Sequence, residues 1–245
     1  MRILFMGTPD FAVASLRRLV EDGHEICGVF TQPDKPKNRG HKLLPTPVKE
    51  YALSVNIPVY QPQSCRDEAT LDQLRALEPD VILVAAYGKL LPQALLDIPK
   101  TAILNVHSSL LPQYRGAAPI NWAVLNGEEE TGVTIMYMAQ ELDAGDIIDQ
   151  VKTPIDPDEN VEAVHDRLAQ LGGELLVKVV ADIVAGTAKR TPQDHSQATL
   201  APMLSRALSP IDWSRSAKEI HNQVRGLTPW PATSTDILGD TIKVF

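Results

Sequence analysis

Apolar and polar positions along the first 110 residues alternate between two patterns. The run at 3–6 is continuously apolar and closed by Gly7, which predicts a buried strand. Phe11, Leu16, Leu19 and Val20 then recur at the spacing of one helix face. Gly23 punctuates, and the run at 26–30 predicts a second strand. Residues 32–47 hold four prolines and a glycine and predict a long loop. Thr46 before Pro47 marks a helix start, since threonine can cap and proline at the first position gives up no needed N–H; that helix runs to Val55. A brief strand at 58–60, a helix carrying Leu71, Leu74 and Leu77, and strands at 81–86 and 102–106 complete the series. The last two lack alternation, as strands covered on both faces do. Repeated units of this kind predict an α/β fold, a doubly wound, mostly parallel sheet with ligands beyond the carboxyl ends of its strands.

Past residue 130 the pattern changes. The stretches 131–138 and 146–155 are strand-like, joined by Leu142-Asp143-Ala144-Gly145-Asp146, and predict an antiparallel hairpin on the sheet edge. Val161, Val164, Leu168, Leu171, Leu175, Val179 and Ile183 follow at three and four residues, an amphipathic helix. Gly172-Gly173 inside it costs about 2 kcal/mol relative to alanines, so close packing is expected there. The organisation predicted is a main domain at 1–189, a polar linker at 190–205, and a new unit at 206–245. That unit has a helix near 217–224, a strand at 241–245, and Trp213 and Trp230 as packing anchors. About 40 residues make a poor independent core.

Composition narrows the setting. Hydrophobic residues make up 44% and charged residues 22%, ordinary for a globular protein. No apolar run approaches the roughly 20 residues that span a bilayer, and the N-terminal one is too short for a signal peptide. Cys27 and Cys65 are isolated from any ligand spacing, so a reduced, cytoplasmic compartment is the expectation; the chain is expected to be a monomer. The net charge of −8 argues against a general nucleic-acid binder. Yet residues 32–49 hold Lys35, Lys37, Arg39, Lys42 and Lys49 against Asp34 alone, a local balance of +4.

Candidate chemistry gathers at 105–116. Asn105 and His107 lie two apart at the end of a buried strand, so their side chains share one face. An amide and an imidazole aimed at one spot suit acyl transfer to an amine. The amide donates to a developing oxyanion and the imidazole donates or moves a proton. A carboxylate near His107 would favour its charged form and fix its orientation, and Asp143 is the candidate. By itself the Asn-x-His pair is met more simply by a structural histidine satisfied in the core. His24, His165, His195 and His221 have no partner spacing, and Asp143 with Asp146 lacks the His or Cys that a metal site needs.

The wider pattern is more specific. Asn-x-His-x-Ser-Leu-Leu-Pro-x-x-Arg-Gly at 105–116, followed by Leu142-Asp143-x-Gly145-Asp146, resembles the 10-formyltetrahydrofolate-dependent formyltransferase family over essentially residues 1–230. The resemblance implies the same doubly wound fold, with 1–189 as the catalytic domain. It implies Asn105, His107 and Asp143 as the catalytic set and Ser109, Leu110, Leu111 and Pro112 as part of a folate site. The co-substrate would be 10-formyltetrahydrofolate, with no metal. Arg115 would order the loop or bind. Tyr87-Gly88, at a strand's carboxyl edge, would line the folate pocket with its backbone.

Gly7-Thr8-Pro9-Asp10-Phe11-Ala12, Thr31-Gln32-Pro33-Asp34 and Arg39-Gly40 resemble the members that act on methionyl initiator tRNA. There the basic loop has a physical task, since lysines and arginines supply salt-sensitive phosphate contacts and a loop can order on RNA. Arg39 and Lys42 would lie against the acceptor stem. Such members carry a barrel-like, OB-like C-terminal domain, of which 206–245 would be only the opening part. Two other readings stay open: the same folate chemistry on another acceptor, such as an amino-sugar nucleotide or water, and a nicotinamide-dependent dehydrogenase. The Gly7 turn lacks the GxGxxG that the second needs.

Overall fold

A computed structural model describes residues 1–37 and 42–245. In chain order its elements are β1 (Arg2–Gly7), α1 (Asp10–Glu21), β2 (Glu25–Phe30), β3 (Lys35–Lys37), β4 (Lys42–Leu44), α2 (Pro47–Ser54), β5 (Val59–Tyr60), α3 (Glu68–Ala76), β6 (Val81–Ala85) and α4 (Gln93–Leu96). There follow β7 (Ala102–His107), β8 (Arg115–Gly116), α5 (Pro119–Leu125), β9 (Glu130–Tyr137), β10 (Ile147–Pro154), α6 (Val161–Ala185), β11 (Leu200–Ala201), α7 (Ala217–Leu227), β12 (Thr233–Ile237) and β13 (Asp240–Val244).

Seven strands form the central sheet in the order β10-β9-β7-β6-β1-β2-β5. The five from β5 to β7 are parallel; β9 pairs antiparallel with β7 and carries β10 as the expected edge hairpin. Alternation along each strand sorts its side chains into two cores. Ile3, Phe5, Val81, Leu83, Leu104 and Val106 pack on the α1 and α6 side, whereas Leu4, Met6, Ile82, Val84 and Ile103 meet Leu74 of α3 and Leu95 of α4. Each such side chain contributes about 1.5–3 kcal/mol on burial. The strand order reverses between β1 and β6, the crevice position where doubly wound sheets hold ligands.

The close packing implied by Gly172-Gly173 is present in α6. A Cβ at 172 would sit 3.1 Å from Val106 Cγ1, and one at 173 would sit 3.1 Å from Ala14 O in α1. Asn160 caps the helix by accepting from the N–H of Ala163, and Gly186 ends it in the left-handed region at φ 70°. No described helix is long and apolar enough to cross a membrane.

Four expectations change. The loop at 32–47 contains a short hairpin, β3 paired antiparallel with β4. Its proline-rich composition hid the pairing, which is confined to three residues a side. The C-terminal unit has a hairpin rather than one strand, since β12 pairs with β13 across Leu238 and Gly239, at φ 52° and 92°. The polar sequence of β12 gave no alternation to read. Trp213 and Trp230 are exposed at 64% and 52%, so they are not packing anchors. Trp213 instead donates from Nε1 to Thr235 Oγ1 at 2.9 Å. The unit is anchored by Leu227, buried with Ala118 and Leu204.

The segment 190–205, expected as a linker, is stitched to the main domain. Thr191 and Ile147 exchange backbone hydrogen bonds of 2.8 and 2.9 Å, and β11 pairs in parallel with β8.

Candidate active site

His107 ends β7, where burial leaves it 6% exposed. Its Nε2 lies 3.0 Å from the carbonyl oxygen of Tyr114. A carbonyl only accepts, so Nε2 carries hydrogen and Nδ1 is the ring nitrogen left without a backbone partner. Nδ1 lies 3.8 Å from Asp143 Oδ2, beyond a direct hydrogen bond. Asn105, half-buried two residues earlier, shares the face of Ile103 and His107 and is in register with Val84 and Met136. Asp143 reaches this group by an unexpected route. After β9 the N–H of Met138 bonds Ile103 O, near the start of β7, so the chain doubles back to bring Asp143 to the far end. Asp143 sits at φ 48°, and its Oδ2 accepts from the N–H of Gly116 at 2.8 Å. A Cβ at Gly145 would fall 1.8 Å from Tyr137 O, so this return path requires glycine.

The loop between His107 and Gly116 is held from β9 and β10. Thr134 Oγ1 donates to Ser109 O and accepts from the N–H of Leu111 and from Gln150 Nε2, using one donor and two lone pairs. Gln150 Nε2 also donates to Leu111 O. Ser109 is fully buried, and its hydroxyl donates to Gln113 O at 2.6 Å. Of the four loop residues singled out from the sequence, Ser109 and Leu111 are thus buried framework, while Leu110 and Pro112 are half-buried. Leu110 leans over Gly132, where a Cβ would meet it at 2.5 Å. A cavity of about 540 Å³ borders Leu110, Leu111 and Gln113, with Glu128 and Lys152 on its walls.

Tyr114 stands at φ 61° and donates its phenol to Glu128 Oε1 at 2.5 Å while accepting from Asn126. Burial, then the Glu128 carboxylate, push its pKa up to about 12. Arg115 is 5% exposed. Its Nε and Nη2 donate to Gln193 Oε1 at 3.2 and 2.7 Å, and Nη2 lies 3.2 Å from His195 Nδ1. Of the two roles open to it, the structure gives Arg115 loop ordering. Gln193 and His195 escaped the sequence reading because they fall in the apparent linker, where nothing in their spacing marks them.

The motifs at 7–12 and 31–34 meet beyond β1 and β2. Thr8 Oγ1 and Gln32 Nε2 both donate to Tyr87 O at 2.9 Å, and Gln32 also reaches Gly88 O. The carbonyls of Tyr87 and Gly88 are therefore partnered within the protein. A second cavity, about 280 Å³, lies between Thr8-Pro9-Asp10 and Pro45-Thr46-Pro47. Lys49 Nζ donates to Asp34 at 2.6 Å and to Gln61 at 2.7 Å, which with Gln61 holds the Asp34 carboxyl below its usual range. One cation of the basic island is thus paired with its one acid. Arg39 lies outside the described residues, and Lys42 contributes backbone to β4 opposite Lys37. Among the described residues no group of three His, Cys, Asp or Glu side chains is placed to hold a metal.

The family described as Formyl transferase matches residues 1–180, and Formyl transferase, C-terminal domain matches 203–245. The chain belongs to the formyl transferase family. It is 51% identical over 247 residues to the methionyl-tRNA formyltransferase of Clostridioides difficile, covering all of this chain and 79% of that one. With that of Moorella thermoacetica it shares 52% over 245 residues, at the same coverages. Solved structures show the family fold at lower identity. An N-formyltransferase from Helicobacter canadensis, in complex with folinic acid and dTDP-3-aminofucose, aligns at TM-score 0.76 and 21% identity over 97% of this chain and 84% of that one. HypX from Aquifex aeolicus, in complex with tetrahydrofolic acid, aligns at 0.74 and 20% over all of this chain and 37% of the other.

Proposed function

We propose that this formyltransferase moves the formyl group of 10-formyltetrahydrofolate to the α-amine of methionyl initiator tRNA. The observation that carries the acceptor is the 51–52% identity to methionyl-tRNA formyltransferases along the whole chain. The solved neighbours, which include sugar N-formyltransferases, stand at 16–22% identity and speak for the fold alone.

The geometry supports a specific division of work. The free amine attacks the formyl carbon, forming a C–N bond and a tetrahedral oxyanion. The Asn105 amide and an Nδ1–H of protonated His107 stabilise that oxygen, because donors fixed before reaction pay no reorganisation. Tyr114 O holds the opposite ring nitrogen, so the imidazole cannot turn away. Asp143, whose Oδ2 lies 3.8 Å from Nδ1, receives the amine proton. Collapse breaks the bond from carbon to N10, and the released proton passes to that nitrogen. Leu110 and Pro112 supply the apolar wall of the folate site, with Ser109 and Leu111 as its framework. Arg39 and Lys42 bind tRNA phosphates.

The test uses labelled 10-formyltetrahydrofolate offered to charged initiator tRNA, to free amines and to an amino-sugar nucleotide. Label on the tRNA supports the reading; label on the sugar alone assigns the same chemistry to another acceptor.

A further inference from the structure

We propose that Gln193 is a positioning residue for formyl transfer, holding the Asp143 loop in register with the His107 loop. The inference rests on the assignment of Asp143 to the reacting site.

Gln193 is 6% exposed, and its amide spends all its hydrogen-bonding capacity on this junction. Oε1 accepts twice from the Arg115 guanidinium, at 2.7 and 3.2 Å. Nε2 donates to Asp143 O at 2.9 Å and to Gly145 O at 2.8 Å. The two ends are not interchangeable, since turning the amide over would set its hydrogens against a cation and its oxygen against two carbonyls. Among side chains only the carboxamides of Gln and Asn offer two acceptor sites and two donors in that arrangement, and Asn is one methylene shorter.

Both loops need such a brace. Asp143 is a non-glycine residue in the left-handed region, a conformation that persists where surroundings over-determine it. On the other side, Gly116 follows Arg115 and donates the N–H that fixes the Asp143 carboxylate. Gln193, Arg115, Gly116 and Asp143 therefore close a ring across the site. The same segment continues the job, because Thr199 accepts from the N–H groups of Tyr114 and Arg115 and so places the carbonyl that holds His107. Gln193 lies in the stretch between the two matched family segments, 1–180 and 203–245.

A positioning role differs from a merely structural one in how its loss combines with loss of Asp143. Gln193→Glu keeps the acceptors for Arg115 and removes both donors to the Asp143 loop; Gln193→Leu removes both halves. Steady-state and single-turnover formylation of initiator methionyl-tRNA are measured with each, alone and combined with Asp143→Ala, alongside thermal unfolding. Expected is a kcat loss of about 100-fold in folded Gln193→Glu, the scale of a small misplacement at a reacting centre, with KM for both substrates nearly unchanged. In the Asp143→Ala background Gln193→Glu should cost no more than about twofold further. Wild-type kcat in folded Gln193→Glu, or losses that multiply in the double variant, would overturn the positioning role. A fully active Asp143→Ala enzyme would overturn the site assignment itself, a result distinct from an inactive Asp143→Ala beside an active Gln193→Glu.

Discussion

The ring of His107 is gripped at Nε2 by the carbonyl of Tyr114, 3.0 Å away, which leaves Nδ1 facing Asp143 at 3.8 Å. One nitrogen is thus engaged by the backbone and the other is left facing the carboxylate. Because Tyr114 is itself bound at its N–H by Thr199 Oγ1 and at its phenol by Glu128, the orientation is set by residues far apart in the chain.

Removing either member of that pair should disable the reaction without unfolding the enzyme. His107→Ala and Asp143→Ala are expected to lower kcat by about 10²–10⁴, the range for loss of a positioned acid or base. Single-turnover rates and circular dichroism spectra on the same preparations check this, and a rate near wild type in either variant contradicts the assignment.

Asn105 has a different signature. In the proposed mechanism its amide acts only on charge that develops during reaction, so Asn105→Ala should lower kcat by about 10²–10³ and leave folate binding intact. Equilibrium titration of 10-formyltetrahydrofolate against the variant separates the two effects. A large loss of folate affinity with unchanged turnover at saturation would place Asn105 in ground-state binding.

Tyr114 provides a pH test of the framework. Its folded pKa, about 12, lies above the ordinary value of 10. A raised pKa means that the group's stabilisation is complete below pH 10 and is lost as pH rises from 10 to 12. Tyr114→Phe should therefore cost about 1–3 kcal/mol at neutral pH, through its hydrogen bond to a carboxylate, with the deficit shrinking across that window. Urea unfolding of both proteins at pH 8 and pH 11 measures it; a deficit that grows with pH would contradict the sign.

The basic stretch at 32–49 is tested by salt. Each phosphate contact contributes about 0.7–0.9 to the slope of log K against log salt concentration. Arg39→Ala with Lys42→Ala should reduce that slope by about 1.5 for methionyl-tRNA while kcat at saturation holds. Lys49 makes the matching control, since its ion pair with Asp34 already spends its charge. An unchanged slope in the double variant removes this basic stretch from tRNA recognition.

Much of the fold was legible because burial on both faces leaves an unmistakable mark. The runs that became β1, β6 and β7 are continuous apolar stretches, and α6 shows its stripe plainly. What was illegible depends on contacts between distant segments. The strand β12 reads Thr-Ser-Thr-Asp-Ile, with no alternation to betray it. Gln193 looked like one polar residue in a polar stretch, although it spans 78 residues to Arg115 and 50 to Asp143. The candidate site stands out in the sequence mainly through its motif. Asn105 and His107 share a strand, so their convergence follows from backbone geometry. The approach of Asp143 depends on the loop after β9 doubling back, which local sequence does not encode beyond the glycine at 145. Ser109 was singled out as part of the folate loop, and its hydroxyl is engaged with Gln113 O.

The central claim is tested most directly by offering this 245-residue chain labelled 10-formyltetrahydrofolate and charged initiator tRNA together, and following the label. The account predicts formyl-methionyl-tRNA formed by the wild-type chain and lost in Asp143→Ala. Label released to water or carried to an amino sugar, with none on the tRNA, would contradict it.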